Sequence, residues 1–130
     1  MKFALDAMGG DFAPKSVVLG GLNALDKSSS PIKIIFLGDK DMIRSELNGS
    51  STENIEIIHT SQTVNIKDKS STVIKKKPNS SLVRGIQLLK ESKVDAFVSA
   101  GHTGAIMSAS LLLLGRIKGI KRPALAAYLP

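Results

Sequence analysis

The sequence predicts an α/β fold in which helices cover both faces of a parallel sheet, a three-layer α/β/α arrangement. Three observations carry this prediction. Short β-rich runs alternate with segments of helical periodicity along the chain. Residues 32–37 form an apolar run broken only by Lys33, as expected of a strand buried on both faces. With 130 residues, 42% hydrophobic and 22% charged, the composition is that of one globular domain and excludes wholesale disorder.

The elements follow in order. Phe3, Ala4 and Leu5 read as a first buried strand, ended by Gly9-Gly10. Pro14 suits the first turn of a helix whose Val18, Leu22 and Leu25 share one face. A Ser-Pro loop at 28–31 leads to the strand at 32–37. A short helix over 40–47 and a loop at 49–51 precede a third strand at 55–58. Residues 60–81 hold Lys67, Lys69, Lys75, Lys76 and Lys77 among Ser, Thr and Asp with little periodicity. They read as an exposed connection with one helical turn. Ser80 or Ser81 caps an amphipathic helix carrying Leu82, Ile86 and Leu89. A fourth strand at 94–99 and a turn at 100–104 follow. The helix at 106–114 is apolar on all sides, predicts burial, and is closed by Gly115 and Gly119. Residues 123–129 read as the start of a fifth strand. A strand there leaves no following helix to cover it, so the chain is expected to be a fragment of a larger fold or an obligate part of an assembly.

Charge and residue usage narrow the function. Lys and Arg total 18 against 11 Asp and Glu, a formal +7 that favours anionic partners. Aromatics are 4% with no Trp, and no helix-turn-helix pattern appears, so no nucleic-acid partner is expected. The absence of Cys excludes a disulfide framework, thiolate metal sites and a cysteine nucleophile within this chain. Met1-Lys2 runs directly into a strand containing Asp6 rather than into a leader's apolar core. The apolar stretch 104–114 is too short to span a bilayer and contains Ser108 and Ser110. The expected location is cytoplasmic.

Two glycine turns each follow a strand and precede a helix: Asp6-Ala7-Met8-Gly9-Gly10-Asp11 and Ser99-Ala100-Gly101-His102-Thr103-Gly104-Ala105. Ligands of open α/β sheets sit at the carboxyl ends of strands. Glycine there lets the backbone approach an anion, and a helix N-terminus offers unpaired N–H donors. The second turn adds the Thr103 hydroxyl and the His102 ring as donors. Neither turn has the glycine spacing of a Walker A loop or a dinucleotide fingerprint. The same glycines also suit a purely geometric role, Asp6 and Asp11 also suit helix capping, and His59 at a strand end reads as structural or exposed.

The two turns, together with Gly115-Arg116-Ile117-Lys118-Gly119-Ile120 and Arg122-Pro123-Ala124, resemble the bacterial phosphate acyltransferases of phospholipid synthesis in order and spacing. The resemblance runs along essentially the whole chain, and Ser80-Ser81 fits it as well. It implies a fold similar to the isocitrate/isopropylmalate dehydrogenase and phosphotransacetylase type, with residues 1–130 as the N-terminal portion of a single larger α/β domain. It implies transfer of an acyl group from acyl-acyl carrier protein to orthophosphate, giving acyl phosphate, with no metal and no organic cofactor. It further implies a cytosolic homodimer peripherally associated with the inner membrane face. By that analogy Gly101, His102, Thr103 and Gly104 hold phosphate, and Asp6, Gly9, Gly10 and Asp11 shape the neighbouring wall. Phosphate attack on a thioester needs a positioned anion and donors for the developing oxyanion, while a basic surface attracts acidic carrier protein and anionic headgroups.

Two features depart from the family. His102 stands where the family has Asn, which predicts weaker or pH-sensitive phosphate binding. The family is also substantially longer than 130 residues, and no residue here presents itself as the general base. The competing expectation is a non-catalytic remnant or anion-binding module of the same family.

Overall fold

The computed structural model describes residues 1–51 and 53–127. Strands β1 (Lys2–Asp6), β2 (Lys33–Gly38), β3 (Ile55–His59) and β4 (Ala96–Val98) form one parallel sheet in the order β3-β2-β1-β4. Helices α1 (Lys15–Lys27), α2 (Lys40–Leu47), α3 (Val73–Lys76), α4 (Ser81–Lys90) and α5 (Thr103–Leu113) connect or cover the strands. The parallel α/β prediction is met.

The pleat of β2 shows how the layers arise, because successive side chains leave opposite faces of a strand. Ile34 and Phe36 join Val18 of α1 and Ile43 and Leu47 of α2 in one buried cluster. Ile35 and Leu37 point the other way, into a cluster with Ala4, Val94 and Leu88 of α4. A third cluster brings Leu82, Val83 and Ile86 of α4 against Val73, Ala105 and Ala109, so α5 lies against α4.

Local signals set the helix starts. Asp39 caps α2, its carboxylate accepting the N–H groups of Asp41 and Met42 at 3.0 and 2.9 Å. Ser80 caps α4, its hydroxyl accepting from Val83 N–H at 3.3 Å. Pro14 stands just before α1, and its carbonyl takes the first helical bond from Val18 at 2.9 Å.

Three expectations are corrected. The stretch 60–81 is not simply exposed, although its one helical turn is present as a 3₁₀ turn (Ser70–Thr72) running into α3. Val73 is buried, Gln62 bridges Ser80 in parallel, and Val64 packs against the α4–α5 cluster. Its polar residues bond one another there, which composition alone does not reveal. Helix α5 starts three residues earlier than expected and is not buried all round: Ala105 and Ala109 are covered, but Leu112 is 65% exposed. Among the described residues, α3, α4 and the 3₁₀ turn cover one face of it, burying Ala105 and Ala109 and half-burying Ile106 and Leu113. Residues 123–127 form no strand and are exposed, because a strand needs a paired neighbour and, among the described residues, β4 pairs with β1 alone. Tyr128 and Leu129 of the expected fifth strand lie outside the described residues. No described helix is long and apolar enough to cross a membrane.

Candidate functional site

The chain steps from β1 to β2 to β3 in one direction, then crosses back by way of α4 to place β4 on the far edge of β1. Strand order therefore reverses between β1 and β4. Beyond the carboxyl ends of such a pair lies the crevice where open α/β sheets bind ligands. Both glycine turns emerge there.

The first turn begins at Asp6, the last residue of β1 and only 3% exposed. Its carboxylate accepts the Met8 N–H at 3.2 Å through Oδ1 and the Ser99 hydroxyl at 2.7 Å through Oδ2. Strand register makes this second bond: Leu5 pairs with Val98, so Asp6 and Ser99 come next on adjacent strands. Gly9 packs onto the same group, and a Cβ there would lie 2.6 Å from Asp6 Oδ2 and 2.9 Å from Gly101 N. Gly10 has φ of 102°, a conformation that side chains rarely adopt.

The second turn leaves β4 through Ser99, whose Oγ also accepts the Gly101 N–H at 3.1 Å. His102 immediately precedes α5, and Ile106 donates the first helical bond to the His102 carbonyl at 3.0 Å. The N–H groups of Thr103, Gly104 and Ala105 thus fall in the orphan first turn, at the positive end of the helix. The His102 Nε2 lies 3.2 Å from the Asp68 carbonyl oxygen. A carbonyl only accepts, so Nε2 carries the proton in this contact.

A cleft of about 650 Å³ opens between the turns. Met8, Gly10 and Asp11 line one side, residues 100–104 another, and Val64, Asn65 and Ile66 a third. Of the residues singled out from sequence, Gly10, Asp11, Gly101, His102, Thr103 and Gly104 line this cleft. Asp6 and Gly9 are buried behind it and tie the turns together. Lys77 donates to Asp68 Oδ2 at 2.6 Å and to the Thr63 carbonyl at 2.7 Å, bracing the third wall. The Lys77 hydrogen bond, and after it the Asn65 N–H, holds the Asp68 carboxyl below its ordinary range. Lys67, Lys69, Lys75 and Lys76 are exposed. His59 is structural: its Nδ1 accepts the Lys40 N–H at 3.2 Å, at the start of α2.

The sequence profile described as "Fatty acid synthesis protein" matches residues 1–130. The chain belongs to this fatty acid synthesis family. Its relatives include the phosphate acyltransferase of Caldanaerobacter subterraneus subsp. tengcongensis, 50% identical over 130 residues. Those of Brevibacillus brevis and Clostridium tetani are 47% and 45% identical over 130 and 132 residues. Each alignment covers all of this chain and 38–39% of the relative, so the chain spans well under half the length of these family members. The resemblance carried by the three sequence blocks is borne out. Two contributors to this part of the family's fold escaped the sequence reading. In the sequence Ser99 is only the start of a turn, because its partner Asp6 stands 93 residues away. Val64, Asn65 and Ile66 carry no motif, and only the fold brings them to the cleft.

Proposed function

We propose that residues 1–130 are the N-terminal portion of a single larger α/β domain that transfers a fatty acyl group from acyl-acyl carrier protein to orthophosphate. The product is acyl phosphate for phospholipid synthesis. The observation that carries this reading is the meeting of both glycine turns at the β1–β4 switch point, in a chain whose relatives are named phosphate acyltransferases. Gly101, His102, Thr103 and Gly104 hold the phosphate, with Gly10 and Asp11 facing them and Asp6 and Gly9 behind. The reaction uses no metal and no organic cofactor. The enzyme is a cytoplasmic homodimer that associates peripherally with the inner membrane face, and its +7 charge favours both carrier protein and anionic headgroups.

The test is acyl phosphate formation by the full-length enzyme from acyl-acyl carrier protein and orthophosphate. A Cβ at Gly104 would lie 2.7 Å from Ser70 Oγ, and one at Gly101 would lie 3.2 Å from Ser99 Oγ and 3.3 Å from Gly9 Cα. Gly101→Val and Gly104→Val should therefore displace the turn and lower kcat/KM by about 100-fold or more. Full activity in both variants would remove this turn from the site. Orthophosphate binding without turnover by the unaltered enzyme would favour a non-catalytic anion-binding module.

A further inference from the structure

We propose that Ser99 is a positioning residue for the phosphate-binding turn, acting through Gly101 and held in place by Asp6. The proposal rests on the acyltransferase reading above. Its basis is a directed chain of hydrogen bonds across the sheet: Gly101 N–H to Ser99 Oγ at 3.1 Å, and Ser99 O–H to Asp6 Oδ2 at 2.7 Å. A hydroxyl has one proton to donate and lone pairs to accept with. Because that proton goes to the buried Asp6 carboxylate, the Ser99 lone pair faces the Gly101 amide. The other Asp6 oxygen is held by Met8 N–H at 3.2 Å, so the carboxylate cannot swing away without breaking both bonds.

Two consequences follow for the turn. Within the phosphate-holding turn the Gly101 amide is already occupied by Ser99, so Gly101 contributes close backbone approach, and the N–H groups of Thr103, Gly104 and Ala105 are the backbone donors for a phosphate oxygen. The direction of those donors is fixed by the point where the turn leaves β4, which is the Ser99–Gly101 bond. Gly9 closes the assembly from the other side, since its missing Cβ would lie 2.9 Å from both Ser99 Oγ and Gly101 N. Ser99 therefore acts on phosphate without touching it, and its loss should weaken phosphate binding while sparing carrier-protein recognition.

The experiment compares Ser99→Ala and Ser99→Thr in the full-length enzyme by steady-state kinetics and by calorimetric titration with inorganic phosphate. Ser99→Ala should raise the KM for orthophosphate about tenfold, the equivalent of one net hydrogen bond, and leave the KM for acyl-acyl carrier protein within about twofold. Ser99→Thr keeps the hydroxyl and should recover most of the loss. An unchanged orthophosphate KM in Ser99→Ala overturns the proposal, and so does an equal rise in both KM values, which marks general damage to the fold. If Ser99→Ala does not fold, Ser99→Cys keeps the size, weakens both bonds, and is held to the same criteria. The titration separates the two readings. Phosphate binding that Ser99→Ala weakens, in an enzyme without turnover, would overturn the acyltransferase reading and keep the positioning role. No phosphate binding by the unaltered enzyme would overturn both.

Discussion

Strands β2 and β4 belong to the same sheet yet live in different surroundings. Ile34, Ile35, Phe36, Leu37 and Gly38 are all buried, because β2 pairs on both edges and helices cover both of its faces. In β4 no residue is fully buried, and Val98 is 54% exposed. An apolar groove of about 780 Å³ runs beside β4, walled by Phe3, Leu5, Ile34 and Val98 of the sheet and by Val17 and Gly20 of α1. The difference teaches that apolar character marks a strand for the interior, while the elements laid over it decide whether it gets there. Truncation should expose the contrast most strongly. Phe36→Ala leaves a cavity between the sheet and α1 and should cost about 3–5 kcal/mol in urea unfolding, whereas Val98→Ala should cost about 0.5 kcal/mol or less. Similar losses at the two positions would mean that β4 is as well covered in solution as β2, and the contrast would collapse.

The same contrast explains what could be read in the sequence. On the covered side β1, β2, β3 and α2 were legible almost to the residue, since apolar runs and the glycine breaks that end them are local signals. Helix α4 was equally legible from Ser80 and its apolar spacing. On the open side the sequence misled: the apolar surface of α5 implied a complete cover, and residues 123–129 implied a strand, which the described residues 123–127 do not form. Both expectations depend on partners that local pattern cannot supply. The candidate site divides the same way. Its glycines and His102 were legible as motifs, but the Asp6–Ser99 bond comes from strand register and the third wall from tertiary packing.

The connection between β3 and α4 stands between these extremes, covered on one side and braced by charge. Lys77 and its hydrogen bond, with the Asn65 N–H, lower the Asp68 pKa in the folded chain below its ordinary value of 3.8. A carboxyl whose folded pKa is depressed adds stability above its unfolded pKa, and that stability fades as pH falls through the folded value. The loss should therefore appear below about pH 4. Lys77→Met removes the hydrogen bond and should flatten the decline in urea midpoint between about pH 5 and pH 3, with a smaller effect than Phe36→Ala. An unaltered slope would show that the ion pair does not brace the connection, and would align this segment with the open half of the molecule.

The smallest effect on phosphate binding is expected where the braced connection meets the cleft. The His102 ring reaches the Asp68 carbonyl at 3.2 Å through Nε2, so one contact links the second turn to the third wall. His102→Asn shortens the side chain and gives up that contact, but retains an amide donor at the same backbone position, just before α5. A neutral hydrogen bond at a half-buried site contributes about 1 kcal/mol. Because the phosphate donors of the first α5 turn are backbone groups, the substitution leaves them in place. Orthophosphate affinity should thus stay within about threefold or improve, while the unfolding midpoint falls slightly. Calorimetric titration of His102→Asn with inorganic phosphate at pH 6 and pH 8 checks this. A loss of about tenfold or more would assign the imidazole its own contact with the anion. If that loss grew at pH 6, the protonated ring would be the donor, and the second turn would bind phosphate by charge as well as by backbone geometry.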